Sequence, residues 1–141
     1  MSADFLDTNV FVYQLDRADP RKSIVATSII DRAMDGSAVT SFQVVQETLN
    51  VITRKIPVPK PPAEARRYLD EVLSILWTVM PTPRLYSEGL RLQSRYGFSF
   101  YDSLIVAAAL EAGCDRLVSE DFQHGQQIEG MTVVNPFRDL A

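Results

Sequence analysis

The chain has 141 residues, 46% hydrophobic and 23% charged, with a formal net charge of −4. This size and balance fit one domain over residues 1–141 with a real core, and the charge argues against the basic surface on which tight non-specific nucleic-acid binding rests. No apolar run approaches the ~20 residues that span a bilayer, and the start lacks a basic stretch leading into a long apolar core, so no membrane or secretion segment is expected.

A single cysteine, Cys114, cannot form an internal disulfide and has no second thiol for a metal site, which fits a reducing cytoplasm. In chain order, Ala3-Asp4-Phe5-Leu6 reads as a short strand that ends at Asp7, and Val10 begins a helix running to Leu15. Asp19-Pro20 offers a cap followed by proline at the first helical position. A second helix then runs to about Asp35, with Gly36 as its left-handed terminator. Ala38-Val39-Thr40 is the second strand, and Ser41 caps a helix whose broad apolar face carries Val44, Val45, Leu49, Val51 and Ile52, with Glu47 at the rim.

The prolines of 56–62 remove backbone donors and hold their neighbours extended, so this stretch is a stiff connector. Helical character resumes over 63–76, Trp77-Thr78-Val79-Met80 reads as the third strand, and Thr82-Pro83 opens a helix that stops near Gly97. The segment 99–113 is the clearest helix: Ser99 caps it, Gly113 ends it, and it is apolar nearly all round, which predicts a central position. Strands at 116–119 and 131–134 follow. Strands alternating with helices imply an α/β domain with a mostly parallel sheet covered on both faces.

Two acids, Asp7 and Asp121, fall at the carboxyl ends of predicted parallel strands, where open α/β sheets form their ligand crevice. Two more, Glu47 and Asp102, fall in helices that start from the same edge. Each has an ordinary reading as well. Asp7, Thr8, Asn9 and Asp121 are all good helix caps, Ser99-x-x-Asp102 matches a capping box, and Glu47 fits a solvated rim. If the four converge, their mutual repulsion is best relieved by a hard divalent cation, Mg²⁺ or Mn²⁺, which favours carboxylate and water oxygens and often works on phosphate. His124, the only histidine, reads as a surface loop residue. Arg17, Arg21, Lys22, Arg54, Lys55, Arg66 and Arg67 read as solvated faces, some able to flank a cleft.

Phe5-Leu6-Asp7-Thr8-Asn9-Val10, Glu47 after the second strand, Tyr101-Asp102-Ser103-Leu104-Ile105 and Leu117-Val118-Ser119-Glu120-Asp121-Phe122 resemble, in order and spacing, the four signatures of PIN-domain ribonucleases. The similarity is greatest to the small VapC-type toxins and extends to the Asn135-Pro136-Phe137 ending. It implies a Rossmann-like, five-stranded sheet of order 3-2-1-4-5, a Mg²⁺ or Mn²⁺ site, cleavage of single-stranded RNA regions, a homodimer and a VapB-like antitoxin. By the same resemblance Asp7 and Asp102 are the principal metal ligands and Asp121 completes the site. Glu47 orients or deprotonates water, and Thr8, Asn9 and Ser119 orient carboxylates or phosphate. Where many relatives carry a further acid, this chain has Gln123. A catalytically inactive PIN-like module that binds RNA or protein is the competing reading. A haloacid-dehalogenase-type phosphatase is disfavoured because Asn9 stands where that chemistry needs a second aspartate.

Overall fold

A computed structural model describes residues 3–140. Strand β1 (Asp4–Leu6) is followed by helices α1 (Thr8–Leu15) and α2 (Pro20–Ala33), then β2 (Ala38–Ser41) and α3 (Phe42–Arg54). After the proline-rich connector come α4 (Pro62–Tyr68), a widened π-type turn over Leu69–Leu73, the short α5 (Ser74–Leu76) and β3 (Trp77–Val79). Helices α6 (Pro83–Tyr96) and α7 (Phe100–Glu111) then lead to β4 (Arg116–Val118), β5 (Gln127–Ile128) and β6 (Met131–Val134).

The strands form one sheet in the order β3-β2-β1-β4-β6-β5. Every pairing from β3 to β6 is parallel, and only β5, joined to β6 by a tight turn, runs antiparallel. The expected order therefore holds for the strands foreseen, but the sheet has six strands rather than five. The additional one is a two-residue edge strand, too short to leave a periodic signal. It exists because Glu129 and Gly130 both adopt positive φ, 48° and 88°, which turns the chain directly back onto β6.

The 63–76 helix is also not continuous. The widened turn at Leu69–Leu73 interrupts it and leaves both Leu73 and Leu76 facing the core, at 0% and 1% exposure. Elsewhere local chemistry sets the boundaries as read. Asp19 and Thr82 accept hydrogen bonds from Lys22 N–H and Leu85 N–H, and Gly97 closes α6 at φ 76°. Helix α1 starts earlier than its apolar residues suggest because Asp7 itself is the cap.

The core lies on both faces of the central strands, where Phe5, Leu6, Leu117 and Val133 are fully buried. Helix α7 has no solvated face from Ser103 to Ala109, as its all-round apolarity predicts, and it packs between α6 and the sheet at β2 and β4. Right-handed crossovers put the helices between β1 and β3 on one face and α6 and α7 on the other. Helices α1 and α3 directly follow β1 and β2 and so begin at the carboxyl edge, and α7 begins beside α3 there, since Gln43 in the first turn of α3 reaches the Tyr101 carbonyl in the first turn of α7.

Helices α6 and α7 approach closely at Gly89, where an added Cβ would lie 2.7 Å from Leu104 Cδ2. Gly89→Val should therefore destabilise the fold by about 1–3 kcal/mol through overpacking. Urea denaturation of the metal-free protein measures this, and an unchanged midpoint would mean that Leu104 repacks without strain.

Candidate active site

The last residue of β1 hands the chain to Asp7, whose extended backbone (φ −82°, ψ 168°) ends the strand and starts α1. Its N–H donates to the Val118 carbonyl at 3.0 Å, which fixes the Asp7 backbone against the end of β4. Oδ1 accepts from Thr8 N–H at 2.8 Å, so the capping role foreseen for this position is real. It is only half of what the side chain does, because Oδ2 accepts from the Ser119 hydroxyl at 2.6 Å. Asp7 is only 4% exposed. Burial pushes its carboxyl up to about 7, against the hydrogen bonds from Ser119 and Thr8, and the charges of Asp121 and Glu47 push the same way.

Ser119, fully buried just beyond β4, connects two of the acids. Its Oγ donates to Asp7 and accepts from Asp121 N–H at 3.0 Å and Asn9 Nδ2 at 3.3 Å. One donor and two acceptor sites are thereby all used, which leaves the hydroxyl no other orientation. Asn9 also donates to Asp121 Oδ2 at 3.2 Å and accepts from Glu120 N–H at 3.4 Å, so one side chain of α1 orders the chain after β4. The carboxyl of Asp121 is raised by desolvation and by the charges of Glu120, Asp102 and Glu47, against the lowering effect of Asn9.

Glu47 is half-buried rather than solvated. Thr8 Oγ1 donates to its Oε2 at 2.7 Å, and Gln43 Nε2 donates to its Oε1 at 3.0 Å. At Asp102 the capping box is half made: Ser99 Oγ accepts from Asp102 N–H at 3.1 Å, while among the described residues the Asp102 carboxylate makes no return bond. That carboxylate is free to face the crevice, and its charge is felt at Asp121.

The structure thus joins Asp7, Thr8, Asn9, Glu47, Ser119 and Asp121 by hydrogen bonds and brings Asp102 within electrostatic reach. Among the described residues no three acidic, histidine or cysteine side chains stand close enough together to hold a metal ion by themselves. His124 is exposed, as expected, and its Nδ1 accepts from Asn135 N–H at 3.0 Å.

Tyr13 and Gln43, beside the site, were not foreseen. Lys22, one of the bases read as solvated or flanking a cleft, is half-buried and donates to Glu120 Oε2 at 3.0 Å and to Tyr13 Oη at 3.1 Å, while Tyr13 donates to Glu120 Oε1. Nothing in local sequence links residues so far apart. Gln43, by contrast, precedes Glu47 by one helical turn, a spacing that puts the two on one face. A separate cleft of about 590 Å³ between α6 and α7 holds none of these groups, and its Arg91 is already paired in a fork with Glu129 at 2.7 and 2.9 Å.

The family model for the PIN domain matches residues 5–126. No curated protein sequence matches the chain. Among solved structures, VapC20 of Mycobacterium tuberculosis, a sarcin-ricin loop cleaving toxin, is 20% identical with a TM-score of 0.60, covering 82% of this chain and 87% of its own. VapBC2 of Rickettsia felis, bound to a promoter DNA fragment, is 16% identical at TM-score 0.66, with 93% and 96% covered. FitAcB of Neisseria gonorrhoeae is 17% identical at TM-score 0.64, with 95% and 98% covered. At these identities the likeness is one of fold.

The raised Asp7 has a signed consequence for stability. Because its carboxyl holds a proton more tightly folded than unfolded, the metal-free protein should be most stable below about pH 4 as far as this group is concerned, and lose on the order of 4 kcal/mol as pH rises toward 7. Asp7→Asn should flatten that decline. Denaturation midpoints from pH 4 to 8 in EDTA check it, and equal slopes in both proteins would contradict the burial argument.

Proposed function

The chain belongs to the PIN domain family, and on that premise we propose that it is a divalent-metal-dependent endoribonuclease, the toxin of a toxin-antitoxin pair. The observation that carries the reading is the convergence of Asp7, Glu47, Asp102 and Asp121 on one rim of the sheet, with the buried Asp7 held in a hydrogen-bonded frame.

The donor set fits Mg²⁺ or Mn²⁺, since it is all oxygen, and the buried Asp7 carboxylate gains its missing counter-charge from a cation. A closed protein cage is not required, because Mg²⁺ characteristically uses one or two carboxylates and keeps water and substrate oxygens. Asp7 and Asp102 would hold it, with Asp121 extending the site through water or substrate oxygens. When bound, such an ion lowers the pKa of water and offsets charge on the phosphate.

The protein's own groups do the rest. Thr8 and Gln43 aim the Glu47 carboxylate, which takes the proton of the attacking water. The water oxygen forms a bond to phosphorus as the opposite phosphorus–oxygen bond breaks, and the departing ribose oxygen receives a proton from solvent. Ser119 and Asn9 keep Asp7 and Asp121 from turning away as charge accumulates.

Two assemblies belong to this reading. The partner is a small VapB-like antitoxin, supported by the VapBC and FitAcB complexes among the structural neighbours. A homodimer is supported by an apolar stripe along α6 and the start of α7, where Tyr86 stacks on Phe100 and Leu90 and Tyr101 are 55% and 66% exposed.

Cleavage of a pool of structured RNAs should require Mg²⁺ or Mn²⁺, and Asp7→Asn and Asp102→Asn should each lower the rate by about a hundredfold or more. Full activity in EDTA would sink the metal assignment. For the assemblies, light scattering should give twice the 15.8 kDa chain mass, with Leu90→Glu at a single copy. Co-expression with the adjacent small protein should yield an inhibited complex. A single-copy wild type, or a neighbour that neither binds nor inhibits, would count against them.

A further inference from the structure

We propose that Gln43 is a positioning residue of this site, a strut that sets the spacing between Glu47 and Asp102; the role rests on the nuclease reading above. Gln43 is 5% exposed at the start of α3. Its two amide hydrogens are both committed, one to Glu47 Oε1 at 3.0 Å and the other to the Tyr101 carbonyl at 3.0 Å. Tyr101 immediately precedes Asp102 in the first turn of α7. One side chain therefore ties the acid of α3 to the backbone that carries the acid of α7. Helix α3 follows β2 and α7 precedes β4, so the bond joins two separate crossovers of the sheet.

The two bonds its amide donates come with a drawback, because its Oε1 is buried without a hydrogen-bond partner among the described residues, a condition that costs stability and that an apolar side chain of the same length would remove. The Tyr101 carbonyl does not depend on Gln43 either, since as a helical carbonyl it has the N–H one turn on as its ordinary partner. What the amide uniquely supplies is the link between the two acids. The other buried side-chain oxygens without partners among the described residues, Thr48 Oγ1 and Ser103 Oγ, directly follow Glu47 and Asp102.

Gln43→Met keeps the length and removes both donors. Thr48→Val is the control, because it removes a partnerless hydroxyl from the same helix without touching either acid. Melting curves in EDTA and in Mn²⁺, and kcat and KM on an RNA substrate, are measured for both variants and wild type. Gln43→Met should still melt cooperatively in EDTA, within a few degrees of wild type, because the loss of two donated bonds is partly offset by removal of the partnerless oxygen. Its Mn²⁺-induced rise should fall to less than half, and kcat should drop about tenfold to a hundredfold with KM unchanged, as loss of an outer support for metal-directed groups does. Thr48→Val should match wild type in the Mn²⁺ shift and both kinetic constants. A wild-type Mn²⁺ shift or kcat in Gln43→Met, or the same losses in Thr48→Val, would overturn the strut. A wild type that responds to Mn²⁺ but cleaves no RNA would remove the nuclease reading and leave the strut judged on the shift. A wild type that does neither overturns both.

Discussion

A carboxylate buried at the end of a central strand is the constraint on which the rest of this site depends. Asp7 is removed from water with other acids nearby, and an isolated ionised carboxylate in that setting is unfavourable by several kcal/mol. Two short hydrogen bonds offset part of the cost, and each comes from a group that the fold delivers there for a different reason. Thr8 N–H is free because it lies in the first turn of a helix, where backbone donors have no intrahelical partner. The Ser119 hydroxyl is present because β4 lies beside β1 in parallel register, with Leu6 opposite Val118, so the next residues along both strands leave the sheet together.

From that pairing the remaining geometry follows. Ser119, once saturated, holds Asn9 and the Asp121 backbone, and Asn9 in turn holds the Asp121 carboxylate and the Glu120 N–H. The loop after β4 would otherwise be free to swing. It is further clamped by Lys22, which bridges Glu120 and Tyr13 and lies over the Phe137 ring, 5.9 Å from its centroid. On the other side Thr8 passes the same frame to Glu47, and Gln43 extends it to the first turn of α7. Rigid elements and the side-chain hydrogen bonds between them therefore hold in place acids that repel one another. Such preorganisation suits a site meant to receive positive charge.

The fold tolerates this concentration of charge because its stability comes from elsewhere. Helix α7 has seven consecutive buried residues, and the strands β1 and β4 bury Phe5, Leu6, Leu117 and Val118. Exposed ion pairs such as Asp4 with Arg116 add little by comparison, since solvent screens them. A core of that depth also explains why the orphaned oxygens of Gln43, Thr48 and Ser103 can persist.

Read alone, the amino-acid sequence determined those features whose cause is local. Proline spacing marked the connector before α4, aspartate, serine and threonine caps marked the starts of α2, α3, α6 and α7, and all-round apolarity marked α7 as central. Alternation of strands and helices was enough to place Asp7 and Asp121 on one sheet edge, because that follows from topology and not from side-chain packing. Only the tertiary structure decided what the acids touch. Whether Asp102 closes its capping box, whether Glu47 is solvated, and that Lys22 and Gln43 belong to the site all turn on contacts between elements. The extra strand escaped for a related reason: two residues carry no period, and a backbone held at positive φ by a non-glycine residue is a property of the closed hairpin that neither Glu129 nor Ile128 announces by itself.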